Sequence, residues 1–348
     1  MDHRPSSQCF ARTIRSVMRV PSWHRPAVRI AFGLTLMIAL GLGWFASAQD
    51  IVEPQAATMA PMAARALALD VVAVDGVYVA VGERGHILRS SDGGNTWKQV
   101  PSPTRSMLTG VSFIDSSHGW AVGHDTAILR TTDGGESWEL VHWTPENEEP
   151  LFDVIFFDAE HGFAIGAYGS FFVTSDGGES WTFEAIGEND FHLHNIVAAS
   201  SGRLYMAAEA GVVYASDDRG TTWQELPSPY EGSFFGVLPL DGDSLLLFGL
   251  RGHLFRSDDA GQSWDELETG TVAMLTDGVV LEDGTIVIVG LGGTVLVSTD
   301  AGRTFHLNQQ SDRSGISSVI QSADGSLLMT GQFGVKITTL GELTGSPD

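Results

Sequence analysis

An aspartate recurs along most of the chain inside the pattern S/T-x-D-x-G-x-S/T-W. The six matches begin with Ser90-Ser91-Asp92 and end with Ser298-Thr299-Asp300, where Phe305 replaces the Trp, and successive aspartates are 41, 43, 42, 41 and 41 residues apart. A calcium loop of the EF-hand type would need more oxygen ligands and a Glu at its twelfth position, which are absent. An Asp that accepts hydrogen bonds from turn N–H groups is typical of an Asx turn. The pattern therefore predicts a structural turn, with no catalytic residue and no metal ligand.

The Gly of each match supplies a positive φ, and the Trp begins the next strand and packs its ring between repeats. The predicted structural residues are Asp92, Asp133, Asp176, Asp218, Asp259 and Asp300, with Trp97, Trp138, Trp181, Trp223 and Trp264. We call each match a box.

Each box is one part of a longer repeat made of short apolar runs. A run that ends in glycine precedes every box, at Gly82, Gly123, Gly166, Gly249 and Gly290, with Ala208 in the fourth repeat, and Gly331 marks a seventh repeat without a box. Four strands in about 41 residues are the pattern of a propeller blade. The sequence predicts an all-β, seven-bladed propeller over 67–343, with blades at about 67–100, 107–143, 151–184, 193–226, 234–267, 274–307 and 316–340.

The seventh repeat shows three strands, followed by a short tail. We expect residues 49–66 to be a linker whose part 51–66 supplies the missing outer strand, because pairing the two chain ends in one blade would close the ring and remove open edges.

One face of such a ring carries the turns between second and third strands and the loops between blades, and variable residues there suit recognition. The turn candidates are Glu83, Arg84, His124, Asp125, Tyr168, Glu209, Arg251 and Phe333. The inter-blade loops add the aromatic candidates Trp143 and Tyr230, together with Phe191, His192, His194, Phe234 and Phe235. These rings either anchor a peptide or pack beneath the loops.

The innermost strands bring a second set of polar residues to the channel mouth. Asp70, Asp153 and Asn195 are expected at equivalent positions there, with Gly110, Gly236, Gly278 and Ser318 in the other repeats. Asp70, Asp153 and Asn195 either bind a cation or a basic peptide, or simply face channel water.

Charge excludes several classes of function. Residues 49–348 carry 13 Lys and Arg against 42 Asp and Glu, a formal charge of −29. Such a body repels nucleic-acid phosphates and anionic lipid. The only cysteine is Cys9, so residues 49–348 hold no disulfide and no thiolate site.

Residues 1–48 have the organisation of an export signal. Ile30–Ala46 is uncharged, Arg25 and Arg29 precede it, and Ala46-Ser47-Ala48 forms a small-x-small site. We expect cleavage after Ala48 and a periplasmic protein, or a retained anchor in the inner membrane that faces the periplasm. Met18 is an alternative start.

The boxes resemble the Asp-box repeat of bacterial neuraminidases. The fuller repeats, such as His118–Gly123 (HGWAVG) with Ile128–Gly135 (ILRTTDGG), resemble the photosystem II stability/assembly factor family over roughly 67–340. That resemblance implies a seven-bladed, non-enzymatic scaffold without a cofactor, expected as a monomer, that holds a nascent subunit of a membrane protein complex. Photosystem-acting members carry arginines for their partner, whereas residues 49–348 hold only 11 Arg, and nothing in the sequence itself indicates photosynthesis.

The alternative is a glycan-binding or glycan-cleaving propeller. A sialidase needs an arginine cluster, a Tyr nucleophile and converging acids, but only Arg84 and Arg251 are expected on the candidate face, and the chain has five Tyr. Asp-box endoglucanases use two propellers, and this chain has one.

Overall fold

The fold is built from short antiparallel strands, as the repeat predicts. The structure is a computed structural model that describes residues 53–187 and 189–345. The predicted signal or anchor of residues 1–48 lies outside the described residues. Within them, no helix is long and apolar enough to cross a membrane.

Six sheets contain four strands and one contains three, each in chain order from the innermost strand outward. Blade 1 comprises β1 (Ala68–Val74), β2 (Val77–Gly82), β3 (Ile87–Ser90) and β4 (Lys98–Val100), and blade 2 comprises β5 (Leu108–Phe113), β6 (Gly119–Gly123), β7 (Ile128–Thr131) and β8 (Glu139–His142). Blade 3 comprises β9 (Leu151–Phe156), β10 (Gly162–Gly166), β11 (Phe171–Thr174) and β12 (Thr182–Phe183), and blade 4 comprises β13 (Leu193–Ala198), β14 (Leu204–Ala208), β15 (Val213–Ser216) and β16 (Gln224–Glu225). Blade 5 comprises β17 (Phe234–Pro239), β18 (Leu245–Gly249), β19 (Leu254–Ser257) and β20 (Asp265–Glu266), and blade 6 comprises β21 (Leu275–Val280), β22 (Ile286–Gly290), β23 (Thr294–Ser298) and β24 (His306–Gln309). Blade 7 comprises β25 (Ile316–Gln321), β26 (Leu327–Gly331) and β27 (Gly334–Thr338).

The innermost strands contact one another in sequence, and β25 returns to contact β1, so the seven blades form a closed ring. The predicted all-β, seven-bladed propeller is confirmed. Seven apolar clusters fill the ring, one at each junction between neighbouring blades. Most second strands are buried along their whole length, as in β14 and β18, because each is covered by a blade on both sides.

Ring closure differs from the prediction of a supplied strand. The described residues 53–66 contain no strand, only a 3-10 turn at Ala63–Arg65. Pro54 and Pro61 remove two of the N–H groups that a ladder would need. The segment instead lies across the junction of blades 1 and 7: the Ala60 amide donates to Gln99 Oε1 at 2.7 Å, and Ala63 is buried with residues of both blades.

The tail adds an element that the sequence analysis did not predict, the short helix α1 (Leu340–Thr344). A capping box between Thr339 and Glu342 begins it. Leu343 is buried in the cluster between blades 6 and 7, so the helix adds an apolar side chain to that junction.

Candidate functional site

Two faces of the ring differ in what they carry. The turns between second and third strands and the loops between blades share one face, which we call the loop face. The boxes and the turns between first and second strands share the other, the box face. This division follows from the antiparallel strand order of every blade.

The turns of the loop face hold exposed side chains in a strained backbone. In five blades the turn is a single 3-10 turn whose middle residue has a positive φ, among them Arg84 (57°), Tyr168 (53°) and Arg251 (57°). A left-handed conformation is uncommon for residues other than Gly, and such strain concentrates at functional sites. Tyr168 is 58% exposed, which is unusual for a large aromatic side chain.

Five ring side chains form a continuous cluster on this face. The Tyr168 ring lies 4.9 Å from the His192 ring, the His192 ring 6.1 Å from that of His194, and the His194 ring 4.6 Å from that of Phe235. Phe152 contacts both histidines, at 6.1 and 5.6 Å. We call Phe152, Tyr168, His192, His194 and Phe235 the aromatic patch. It extends from an exposed turn of blade 3 to the first residues of the innermost strands of blades 3, 4 and 5.

His194 is neutral at physiological pH. Its Nδ1 lies 2.8 Å from the Phe234 carbonyl oxygen, which only accepts, so Nδ1 carries the proton and donates. Burial lowers the pKa of His194 to about 4 despite that hydrogen bond. The ring therefore contributes an uncharged aromatic surface, with Nε2 as a hydrogen-bond acceptor.

The polar residues at the channel mouth link neighbouring blades. The Asp70 carboxylate accepts from the Val111 amide of blade 2, and Asp153 accepts from the Asn195 side chain and the Ile196 amide of blade 4. The Asn195 side-chain oxygen accepts in turn from the Val237 amide of blade 5.

The equivalent position in blade 6 is Asp277, and not Gly278 as the repeat alignment suggested. A bulge precedes that position in each innermost strand, and in blade 6 it pairs Asp277 with Val289. Asp277 accepts from the Val319 amide of blade 7 at 2.8 Å.

Burial shifts the protonation equilibria of these carboxylates. Burial raises the pKa of Asp70 to about 7, against the hydrogen bond from Val111 and with the help of the negative charges of Asp153 and Asp277. Burial likewise raises the pKa of Asp153 to about 6, and that of Asp277 in the same direction. The hydrogen bonds assign these residues to holding blades together.

Every box is a closed hydrogen-bond motif on the box face. In the third box, Asp176 accepts from the Ser180 hydroxyl and amide and from Thr174, whose own oxygen accepts from the Gly178 amide. The same contacts recur in the other five boxes. The Ser180 hydroxyl, followed by its amide, lowers the pKa of Asp176 to about 2. All six aspartates are therefore occupied by their own turns.

Several predicted binding residues pack beneath the loops instead. The Trp143 ring lies against the core between blades 1 and 2. The Tyr230 ring lies 4.2 Å from His253 and against the core between blades 4 and 5, and Phe333 packs against the core between blades 6 and 7. Asp125 accepts from the Ser106 hydroxyl of the loop between blades 1 and 2.

The remaining turn candidates stay accessible. Arg84, His124 and Arg251 are exposed on separate blades, and Glu83 is half-buried. Glu209 is brought to the aromatic patch, where it accepts from the His192 amide at 3.3 Å.

Phe152 was not among the predicted site residues, although it directly precedes Asp153, so the alignment that selected Asp153 also contained it.

The arginines of the loop face are five rather than two. Arg65 lies just before β1, and Arg105 and Arg313 lie in inter-blade loops; they join Arg84 and Arg251. The expectation of only two was wrong because it considered the turns alone. Arg89, Arg130 and Arg256 point to the box face, where they contact Gly134, Glu179 and Asp258. Of the described residues, no three His, Cys, Asp or Glu side chains are grouped to hold a metal.

Two neighbouring cavities lie elsewhere, at the outer edge between blades 3 and 4. The two, of about 410 and 450 Å³, share Glu184, Gly220 and Thr221 in their walls. The first is also lined by Asp218, whose carboxylate is occupied by its own box. The aromatic patch, in which Tyr168 is exposed and the other four rings are half-buried, is the better candidate for recognising a macromolecule.

The sequence profile of the family described as Photosynthesis system II assembly factor YCF48 matches residues 93–150 and 141–287, which is more than half of the chain. A solved structure of YCF48 bound to D1 peptide is 21% identical, with a TM-score of 0.65, over 82% of this chain and 98% of that one. YCF48 from Cyanidioschyzon merolae is 16% identical, with a TM-score of 0.67, over 82% of this chain and 99% of that one. A streptogramin B lyase shares the fold at 12% identity and a TM-score of 0.69, over 80% of this chain and 96% of that one. No curated protein matches.

Proposed function

This chain belongs to the family of the photosystem II assembly factor YCF48, and from that membership we propose that it is an exported, non-enzymatic scaffold that binds a subunit of a membrane protein complex during assembly. The aromatic patch on the loop face is the proposed contact surface. The client is a membrane protein whose exposed segment reaches that face.

The observation that carries the proposal is the extent and exposure of the aromatic patch. Its rings come from three consecutive blades, and Tyr168 projects from a turn in which the backbone is strained. Aromatic side chains are enriched among the residues that dominate binding energy at protein interfaces. A YCF48 structure with a bound D1 peptide supports peptide recognition within this fold.

The hydrogen bonding of the carboxylates supports a role without chemistry. The box aspartates are held by their own turns, and those at the channel mouth accept backbone amides from adjacent blades. The arginines of the loop face lie just before blade 1, in the turns of blades 1 and 5, and in the loops before blades 2 and 7.

Export is proposed from the sequence of residues 1–48. A basic segment, an uncharged apolar run and a small-x-small site are the three parts of a secretory signal. The expected location is the periplasm, with the chain either free after cleavage or held at the inner membrane.

Site-specific photo-crosslinking tests the proposal. Benzoylphenylalanine is placed at position 168, on the loop face, and separately at position 183, where Phe183 is similarly exposed at the outer edge of blade 3. Each tagged protein is irradiated in the native envelope fraction, and the crosslinked material is identified by mass spectrometry. We expect one membrane protein subunit to be crosslinked through position 168 and not through position 183.

Two outcomes would contradict the proposal. Equal crosslinking from both positions would show that the aromatic patch is not a selective surface. Retention of glycan with no protein partner would favour the carbohydrate alternative.

A further inference from the structure

We propose that the aromatic patch selects an extended client segment in which a bulky apolar side chain stands beside Lys or Arg. This inference rests on the proposed function and specifies the chemistry of the partner. It follows from three features of the patch: its length, its uncharged rings and the carboxylates that flank it.

The length of the patch matches a short extended peptide. The successive ring distances from Tyr168 through His192 and His194 to Phe235 are 4.9, 6.1 and 4.6 Å. An extended chain advances by roughly 3.3 Å per residue, and the summed ring distances are an upper limit on the span, so about five residues or fewer reach from one end of the rings to the other.

The inner part of the patch is suited to an apolar side chain. Phe152 and Phe235 lie on either side of His194, whose ring is uncharged because its pKa is about 4. Aromatic rings at these separations prefer edge or offset contacts with another ring or an aliphatic side chain. His194 Nε2 adds one acceptor for a donor of the client.

The outer part of the patch carries negative charge. The Glu209 carboxylate lies 3.9 Å from His192 Nε2, and the Glu149 carboxylate lies 3.5 Å from the Ser170 hydroxyl, two residues beyond Tyr168. Within residues 53–187 and 189–345, no Lys or Arg is paired with either carboxylate. Asp190 precedes His192 in the same loop.

A cation above the exposed Tyr168 ring would therefore meet both an aromatic face and a carboxylate. Lys and Arg are attracted to the face of an aromatic ring, and Arg more often makes this contact. A body of charge −29 also draws a basic segment toward it and repels an acidic one. These features together favour a basic and apolar segment over an acidic one.

Three labelled peptides and purified full-length protein test the inference by fluorescence anisotropy. The first decapeptide carries Arg-Phe-Leu-Arg between Gly-Ser flanks, the second carries Glu-Phe-Leu-Glu, and the third carries Arg-Ser-Ser-Arg. We expect saturable binding of the first only, with at least tenfold weaker binding of the other two. Binding should weaken as NaCl rises from 50 to 500 mM, because partly exposed charge pairs are screened.

Two variants and two matched controls locate the binding surface. Tyr168→Ala should weaken binding by fivefold or more, as expected of a dominant aromatic contact. Glu209→Gln should weaken it about threefold at 50 mM NaCl and by less at 500 mM. Phe183→Ala and Glu282→Gln remove an equally exposed ring and an exposed acid away from the patch and should leave binding unchanged. Circular dichroism and Tm establish that each variant is folded.

Several results would overturn the inference. They are equal or tighter binding of the acidic peptide, no saturable binding of any peptide to folded protein, or an equal loss in the Phe183→Ala control. If Tyr168→Ala does not fold, Glu209→Gln against Glu282→Gln decides the question. Should position 168 still crosslink to a membrane subunit while the peptides fail, the scaffold proposal stands and only the client chemistry is wrong.

Discussion

The channel-mouth aspartates predict that the propeller is more stable in mild acid than at neutral pH. The pKa of Asp70 is raised from 3.8 to about 7 in the folded protein. Between pH 4 and 7 the native state therefore binds more protons than the unfolded chain, and stability falls as pH rises through that interval. The contribution of Asp70 is fully present below pH 4 and is lost above pH 7.

The magnitude follows from the difference between the two pKa values. A difference of about 3 corresponds to about 4 kcal/mol, of which about 3 kcal/mol is lost between pH 5 and pH 8. Asp153 and Asp277 add to the slope, because their pKa values are raised as well. The decline should be visible in a protein of ordinary stability, which is about 5–15 kcal/mol in total.

Asp70→Asn isolates the effect. Asparagine resembles the protonated acid because it is uncharged. In the wild type the two carboxylate oxygens accept from the Val71 and Val111 amides, and in the variant the asparagine NH₂ group faces one of these amides instead. That lost hydrogen bond costs about 1 kcal/mol of stability. The free energy of unfolding of the variant should therefore equal that of the wild type at pH 5 and exceed it by about 3 kcal/mol at pH 8. Equilibrium unfolding in guanidinium chloride, followed by tryptophan fluorescence, measures both values.

The box variant Asp92→Asn is the opposing control. Hydrogen bonds from Thr96 lower the pKa of Asp92, so its removal should destabilise the protein at both pH values. If Asp70→Asn is less stable than the wild type by the same amount at pH 5 and pH 8, Asp70 is not held with a raised pKa, and the description of the channel mouth is wrong.

Four further substitutions test the frame of the ring. Gly249→Ala places a Cβ 2.7 Å from the Phe234 Cα and should cost about 2 kcal/mol in denaturant unfolding, whereas Ala208→Gly at the equivalent position should cost about 1 kcal/mol or less. Asp176→Asn should lower Tm at pH 7, and the difference from the wild type should shrink as the pH approaches 2, near the pKa of Asp176. Gln99→Ala removes the hydrogen bonds to Ala60 and Thr58 and should cost about 2 kcal/mol, with faster hydrogen exchange at the Ala60 amide; unchanged exchange would show that residues 53–66 are held by other contacts.

The repeat made the architecture predictable. A period near 41 residues, a glycine at the end of six of the seven second strands and a turn motif before each fourth strand together specify one supersecondary unit. A unit of that kind buries its apolar faces only against copies of itself, so the count of repeats predicts the count of blades. The box aspartates were predictable for a related reason, since their partners lie within four residues.

The ends of the ring were harder to predict. Residues 53–66 and α1 are placed by contacts with blades 1, 6 and 7, which no local period encodes. In blade 6 the alignment was wrong by one residue and selected Gly278, whereas strand pairing places Asp277 opposite Val289. An error of one residue matters because the side-chain direction alternates along a strand.

The sequence by itself determined the fold class, the number of blades and the turns that repeat, because the interactions that specify them are local and occur several times. Only the tertiary structure decided which aromatic residues are accessible. Trp143 and Tyr230 pack beneath their loops, whereas Tyr168, His192 and Phe152 meet at one surface. These contacts join residues that lie far apart in the chain or on different blades, and the closed ring brings them together. Exposure and proximity are properties of that packing, so they cannot be inferred from the type or spacing of the residues.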